Sequence, residues 1–198
     1  LVAREIDRRV ILFSLAYPVA RGAFLAGRFA AVLALSVLAA IVLGMLLLLA
    51  VLLAGGGFGQ EFPPSLGVPF WATVAGFTLD AALVATFALC IAALSTVTAL
   101  PLALGAAFAI AGKALGATVS YLSQGADGDA DLLARYNPVI DVVRWVLPDL
   151  SRLDWREWAM YQLAPSSESV YWAVTMALAY ILLLLLLASR LFAKREFV

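Results

Sequence analysis

Histidine is absent from the 198 residues, and cysteine occurs once, at Cys90. Without histidine, neither a His-based metal site nor a Ser-His-Asp triad can be built from this chain alone. One cysteine excludes an internal disulfide, and its place inside an apolar run suits a small buried hydrophobe. Charge is scarce as well. Only 13% of residues are Asp, Glu, Lys or Arg, against about a quarter in soluble domains. Thirteen basic and thirteen acidic residues cancel, which argues against a nucleic-acid partner.

Apolar sequence is what the chain has in excess. It is 65% hydrophobic with a mean hydropathy of +1.02, a balance that makes the bilayer its solvent. Four stretches approach the ~20 apolar residues of a spanning helix: 29–54, about 71–93, about 102–122 and about 170–188. Their length favours helices over barrel strands, so an all-α, polytopic membrane helix bundle is expected. The chain divides accordingly into a basic amphipathic segment (1–28), three spans (29–122), a long polar segment (123–169), and a last span with its tail (170–198).

Charge sidedness sets the orientation. Residues 1–28 hold five arginines against two acids, and the tail after Ala188 holds three bases against one acid. The long segment holds four arginines against eight acids. The positive-inside rule therefore predicts both observed termini on the cytoplasmic side of an inner membrane, with the glycine-rich "GGGFGQEFPPSLGVP" and the long segment outside. Phe70, Trp71, Tyr171 and Trp172 fit the outer boundary. Within the long segment, Trp145, Trp155, Trp158 and Tyr161 stand among arginines, a pattern of short helices lying along or dipping into the outer leaflet. A small folded cap between two spans is the alternative.

Two charges fall within spans, Asp80 and Lys113. The tight link "STVTALP" makes spans two and three antiparallel neighbours, which brings these residues to similar depth and makes an ion pair plausible. Such a pair is either structural or part of a substrate route. Gly112 and Gly116, in "GKALG", form a small-x-x-x-small pattern that suits close helix packing. A phosphate-binding loop would need Gly at Ala107 and Ser or Thr at Ala114, so ATP binding by this chain is not expected. "ADGDAD" (126–131) lacks the later Glu of a calcium loop and reads as a solvated acidic turn. No metal site and no catalytic cluster is expected.

The N-terminal stretch places Ile6, Val10, Phe13 and Tyr17 on one helical face, and Pro18 ends that helix. "VARGAFLAGRF" then restarts a helix that runs into span one. The pattern Arg4, Glu5, Ile6, Arg8, Leu15, Pro18, Val19, Arg21, Phe24, Leu25, Gly27, Arg28 and Phe29, followed by "ALSTVTALP", "VLPDLSRLDW" and "RLFAKREF", resembles the permeases of type-2 ATP-binding-cassette (ABC) exporters. Within these it is most similar to the branch associated with multicopper-enzyme maturation. Such permeases typically have six spans, so the four here would be the last four.

The resemblance implies a coupling helix that docks in a groove of a separate ATPase subunit. Glu5, Arg8, Arg9, Phe13, Tyr17, Pro18, Arg21 and Phe24 would form that contact. ATP and magnesium would be bound by the partner, and this chain would hold no cofactor and be no enzyme itself. A second permease copy, in a homodimer, would face it across a central route within membrane lipid. The resemblance names no substrate. A structural membrane-anchor subunit of a larger complex is the competing reading.

Overall fold

The computed structural model describes residues 21–54, 63–95, 97, 99–123 and 148–194. Among these, all regular structure is helical. The helices are α1 (Arg21–Ala54), α2 (Val68–Leu94), α3 (Leu100–Ser123), α4 (Arg156–Tyr161) and α5 (Ser167–Lys194), with a 3-10 turn at Leu150–Leu153 before α4. Helices α1, α2 and α5 are each long and apolar enough to cross a membrane. The apolar part of α3 is shorter, Leu100–Gly116.

Local chemistry explains the helix boundaries. Pro69 sits in the first turn of α2, where its missing N–H removes no helical bond. Ser95 ends α2 in an extended conformation while its N–H still reaches Ile91 O. The Ser95 hydroxyl also accepts a 2.9 Å bond from the Val97 N–H, closing the link to α3. Pro101 then occupies the opening turn of α3. The segment preceding Phe29 is already helical, so α1 is one unbroken helix from Arg21. The amphipathic helix expected before it, with Glu5, Arg8, Arg9, Phe13, Tyr17 and Pro18, lies outside the described residues.

Helix α2 is the centre of the bundle and packs against α1, α3 and α5. Helix α5 meets it with buried Ala173, Ala177, Ile181, Ala188 and Phe192, a stripe of mainly small residues that lets two backbones approach. Gly105 of α3 lies against Ala88, and Phe87 stacks on Phe108 with ring centroids 4.2 Å apart. At the arginine-bearing end, Leu25, Cys90 and Ala188 close a second cluster. The leucines of α1 and α5 mostly face outward, as helices bathed in lipid would present them.

The opposite end is built differently. Pro148 to Trp155 inserts between the helices and touches α2, α3 and α5. Leu150, Leu153 and Trp155 join Ala82, Leu83, Phe108, Ala173 and Ala177 in the main core. This corrects two expectations. Trp155 is only 9% exposed and is a core residue, not a headgroup anchor, because its indole N–H is satisfied internally by Arg152 O at 3.0 Å. Among the described residues, the atoms nearest Gly112 and Gly116 belong to Pro148, Asp149, Leu150 and Ser151 rather than to another span. Their missing side chains open the slot that this segment fills. Tyr161, by contrast, is exposed, as an interfacial residue would be.

Candidate functional site

The inserted segment is seated by glycines on two helices. A Cβ on Gly112 would fall 2.7 Å from Leu150 Cδ1 and 3.2 Å from Pro148 O. On Gly116 it would collide with Ser151, and on Gly76 with the Leu153 carbonyl. Only bare backbone admits the wedge this closely.

Polar bonds then hold the wedge in shape. Asp149 caps the 3-10 turn, accepting from Ser151 N at 3.2 Å and Ser151 Oγ at 2.6 Å. Arg152 Nε pairs with the other oxygen of Asp149 at 3.2 Å. The buried Thr73 hydroxyl shares its proton between Pro69 O and Trp155 O, both at 2.9 Å. The second bond ties the wedge to α2. Ser65 N donates to Ala159 O at 2.8 Å, which joins the start of α2 to α4. Gln162 closes α4 in the left-handed region, with φ 60°, where its amide also reaches Glu157 O.

Asp80 and Lys113 meet beneath this wedge, with Lys113 Nζ 2.8 Å from Asp80 Oδ2. By helix rise, Asp80 lies ~18 Å from the start of α2 and Lys113 ~15 Å from the end of α3. The pair is asymmetric. Asp80 is buried and its Oδ1 has no hydrogen-bond partner among the described residues, while Lys113 is half exposed. The ammonium also stands 5.6 Å from the centre of the Phe77 ring.

A second pair reaches the same ring. Arg156 binds Asp154 through Nε at 2.8 Å and Nη2 at 2.5 Å, and its guanidinium carbon is 5.9 Å from the Phe77 centre. The hydrogen bond from Arg156 holds the Asp154 carboxyl below the usual carboxylate range, against a smaller opposing effect of burial, and nearby Lys113 adds to the lowering. The same bond raises the Arg156 guanidinium. Local sequence carries a trace of these pairs: acid and arginine stand three apart at Asp149 and Arg152, and two apart at Asp154 and Arg156. Nothing local signals that Phe77, Thr73 and Gly76 face them.

At the arginine-bearing end, Phe24 stacks on Phe192 with centroids 6.0 Å apart, and the Arg28 guanidinium lies 5.2 Å from the Phe24 ring. Phe24 therefore joins the start of α1 to the end of α5. Arg21 is the first residue of α1. No cluster of three or more His, Cys, Asp or Glu with metal-binding geometry occurs among the described residues. No protein-family profile matches the chain, and no curated protein or solved structure matches it.

Proposed function

We propose that this chain is the permease subunit of a type-2 ABC exporter, embedded in an inner membrane with both observed ends cytoplasmic. In this reading α3 is a fourth crossing helix, and ATP hydrolysis occurs in a separate subunit. The observation that carries the proposal is the unbroken α1, from Arg21 to Ala54. A helix that is already formed at Arg21 and runs on unbroken through an apolar span is a stiff lever, able to carry a rigid-body push from a docked subunit. The Phe24–Phe192 stack and the Leu25–Cys90–Ala188 cluster support the same reading. They bind α1, α2 and α5 at the end where such a push would enter.

Helix α3 is the face for a second copy in this proposal. Its exposed residues include Ala103, Ala106, Ala107, Ala111 and Ala114, interspersed with exposed Leu100, Leu102, Leu104 and Ile110. Small residues favour helix contact over lipid. The wedge, held between α2, α3 and α5, would then close the outer end of the route.

The test is co-purification of an ATPase subunit with the full-length protein from its native membrane. Phe13→Asp and Arg21→Glu should each abolish it, while Met160→Ala, at the opposite end, should leave it intact. Retention of the ATPase through both changes would sink the coupling assignment and favour the membrane-anchor reading.

A further inference from the structure

Among the described residues, three ion pairs at the wedge end share an orientation. Side-chain exposure is 11% for Asp80, 16% for Asp149 and 23% for Asp154, but 48% for Lys113, 54% for Arg152 and 61% for Arg156. Each acid is tucked behind its cation. The sum of charge is zero, yet what the pairs present outward is positive. Lys113 and Arg156 converge on one half-exposed ring, Phe77. Asp149, the partner of Arg152, lies at Gly116, about one turn along α3 from Lys113. Glu157, exposed at the start of α4, joins none of the three pairs.

Half-exposed charges at this depth cannot face hydrocarbon without a large penalty, so they face water or headgroups. A cation already held by a carboxylate behind it is fixed in place and keeps free N–H donors in front. Arginine in particular has five donors and spends few of them on one acid. Two such cations over one aromatic ring match the oxygens of a phosphate.

We propose that Lys113 and Arg156, which share the Phe77 ring, form with Arg152 of the adjoining 3-10 turn a binding site for a phosphate-bearing group at this end of the bundle. The phosphate belongs to a lipid headgroup or to a soluble phosphate ester, and both present the same oxygens to the site. The site stands apart from the coupling reading: it requires no ATPase, and its loss would leave the α1 lever untouched.

The test is a tryptophan-fluorescence titration of the purified chain in neutral detergent, since Trp155 belongs to the wedge. The probes are inorganic phosphate, glycerol phosphate, a short-chain phosphatidic acid, and a diacylglycerol of the same chains as the uncharged control. Saturable binding of phosphatidic acid, with the diacylglycerol silent, is expected. Binding of phosphatidic acid alone identifies a lipid headgroup, and binding of all three phosphates identifies a soluble ester. Arg156→Gln should raise the half-saturation concentration at least tenfold, and Asp154→Asn, which frees the same guanidinium, should not. Arg152→Gln repeats the test on the second pair should Arg156→Gln fail to fold. The proposal is overturned if no phosphate probe binds, if the diacylglycerol binds equally, or if Asp154→Asn weakens binding as much as Arg156→Gln.

Discussion

Gly76→Ala adds one methyl group to α2, and its consequence follows from where that methyl would land. It would overlap the Leu153 carbonyl oxygen and lie 3.1 Å from Trp155 Cε3. The carbonyl is backbone, within a turn held by the Asp149 cap and by the Thr73 bond to Trp155 O. No rotamer change relieves the contact, so the wedge must move. Overpacking of this kind costs about 1–3 kcal/mol, and a rigid backbone obstacle puts this site at the upper end. Alanine also gains about 0.8–1 kcal/mol over glycine in a helix interior. The net loss is then about 1–2 kcal/mol, or roughly 2–8 °C in Tm for a chain of this size. Gly27→Ala is the control, because nothing lies within 4 Å of its new methyl, and it should hold or raise the Tm. Thermal unfolding in detergent can be followed by a thiol-reactive dye on buried Cys90 and by Trp emission. If Gly76→Ala melts at or above Gly27→Ala, the wedge does not sit where these contacts place it.

Three further outcomes are expected. Lys113→Met leaves the Asp80 carboxylate buried without its counter-ion and should destabilise more than Asp80→Asn, which leaves a half-exposed ammonium free to hydrate; the double variant should recover part of the loss. A thermal double-mutant cycle measures this, and an additive cycle would deny the coupling. Thr73→Val removes the hydroxyl that bonds Trp155 O; that carbonyl keeps its 3.2 Å bond from Trp158 N, so the loss should be about 0.5–1.5 kcal/mol, read as a lower Tm with red-shifted Trp emission. The Asp154 carboxyl is lowered when folded, so its contribution is complete above the unfolded value of about 3.9 and fades as pH falls through the lower folded value. Stability measured from pH 5 downward should carry this small acid-side loss, under about 1 kcal/mol for so exposed a partner, and Asp154→Asn should remove it.

The helices were legible because their signal is local. Runs of apolar residues with proline and glycine at their ends place α2, α3 and α5 to within a few residues, and the helix expected over "VARGAFLAGRF" does run into the first apolar run, continuous from Arg21. The meeting of Asp80 with Lys113 followed from a short link between antiparallel helices. The wedge was not legible in the same way. "PDLSRLDW" is polar and aromatic enough to pass for an interfacial segment, and its burial depends on three glycines some 30 to 80 positions away. The same distance hid the partner of Gly112 and Gly116, since a small-x-x-x-small pattern states that something packs closely without saying what.

By itself, then, the order of residues determined the helical class, the long apolar helices compatible with a membrane, and the places where those helices end. These depend on composition and on the backbone's need to satisfy its own hydrogen bonds in lipid. Only tertiary structure decided that Trp155 is core, that Phe24 stacks on Phe192, and that three carboxylates stand behind three cations. Whether a charge is hidden or presented is a property of what surrounds it, and for Asp80 and Lys113 those surroundings come from separate helices.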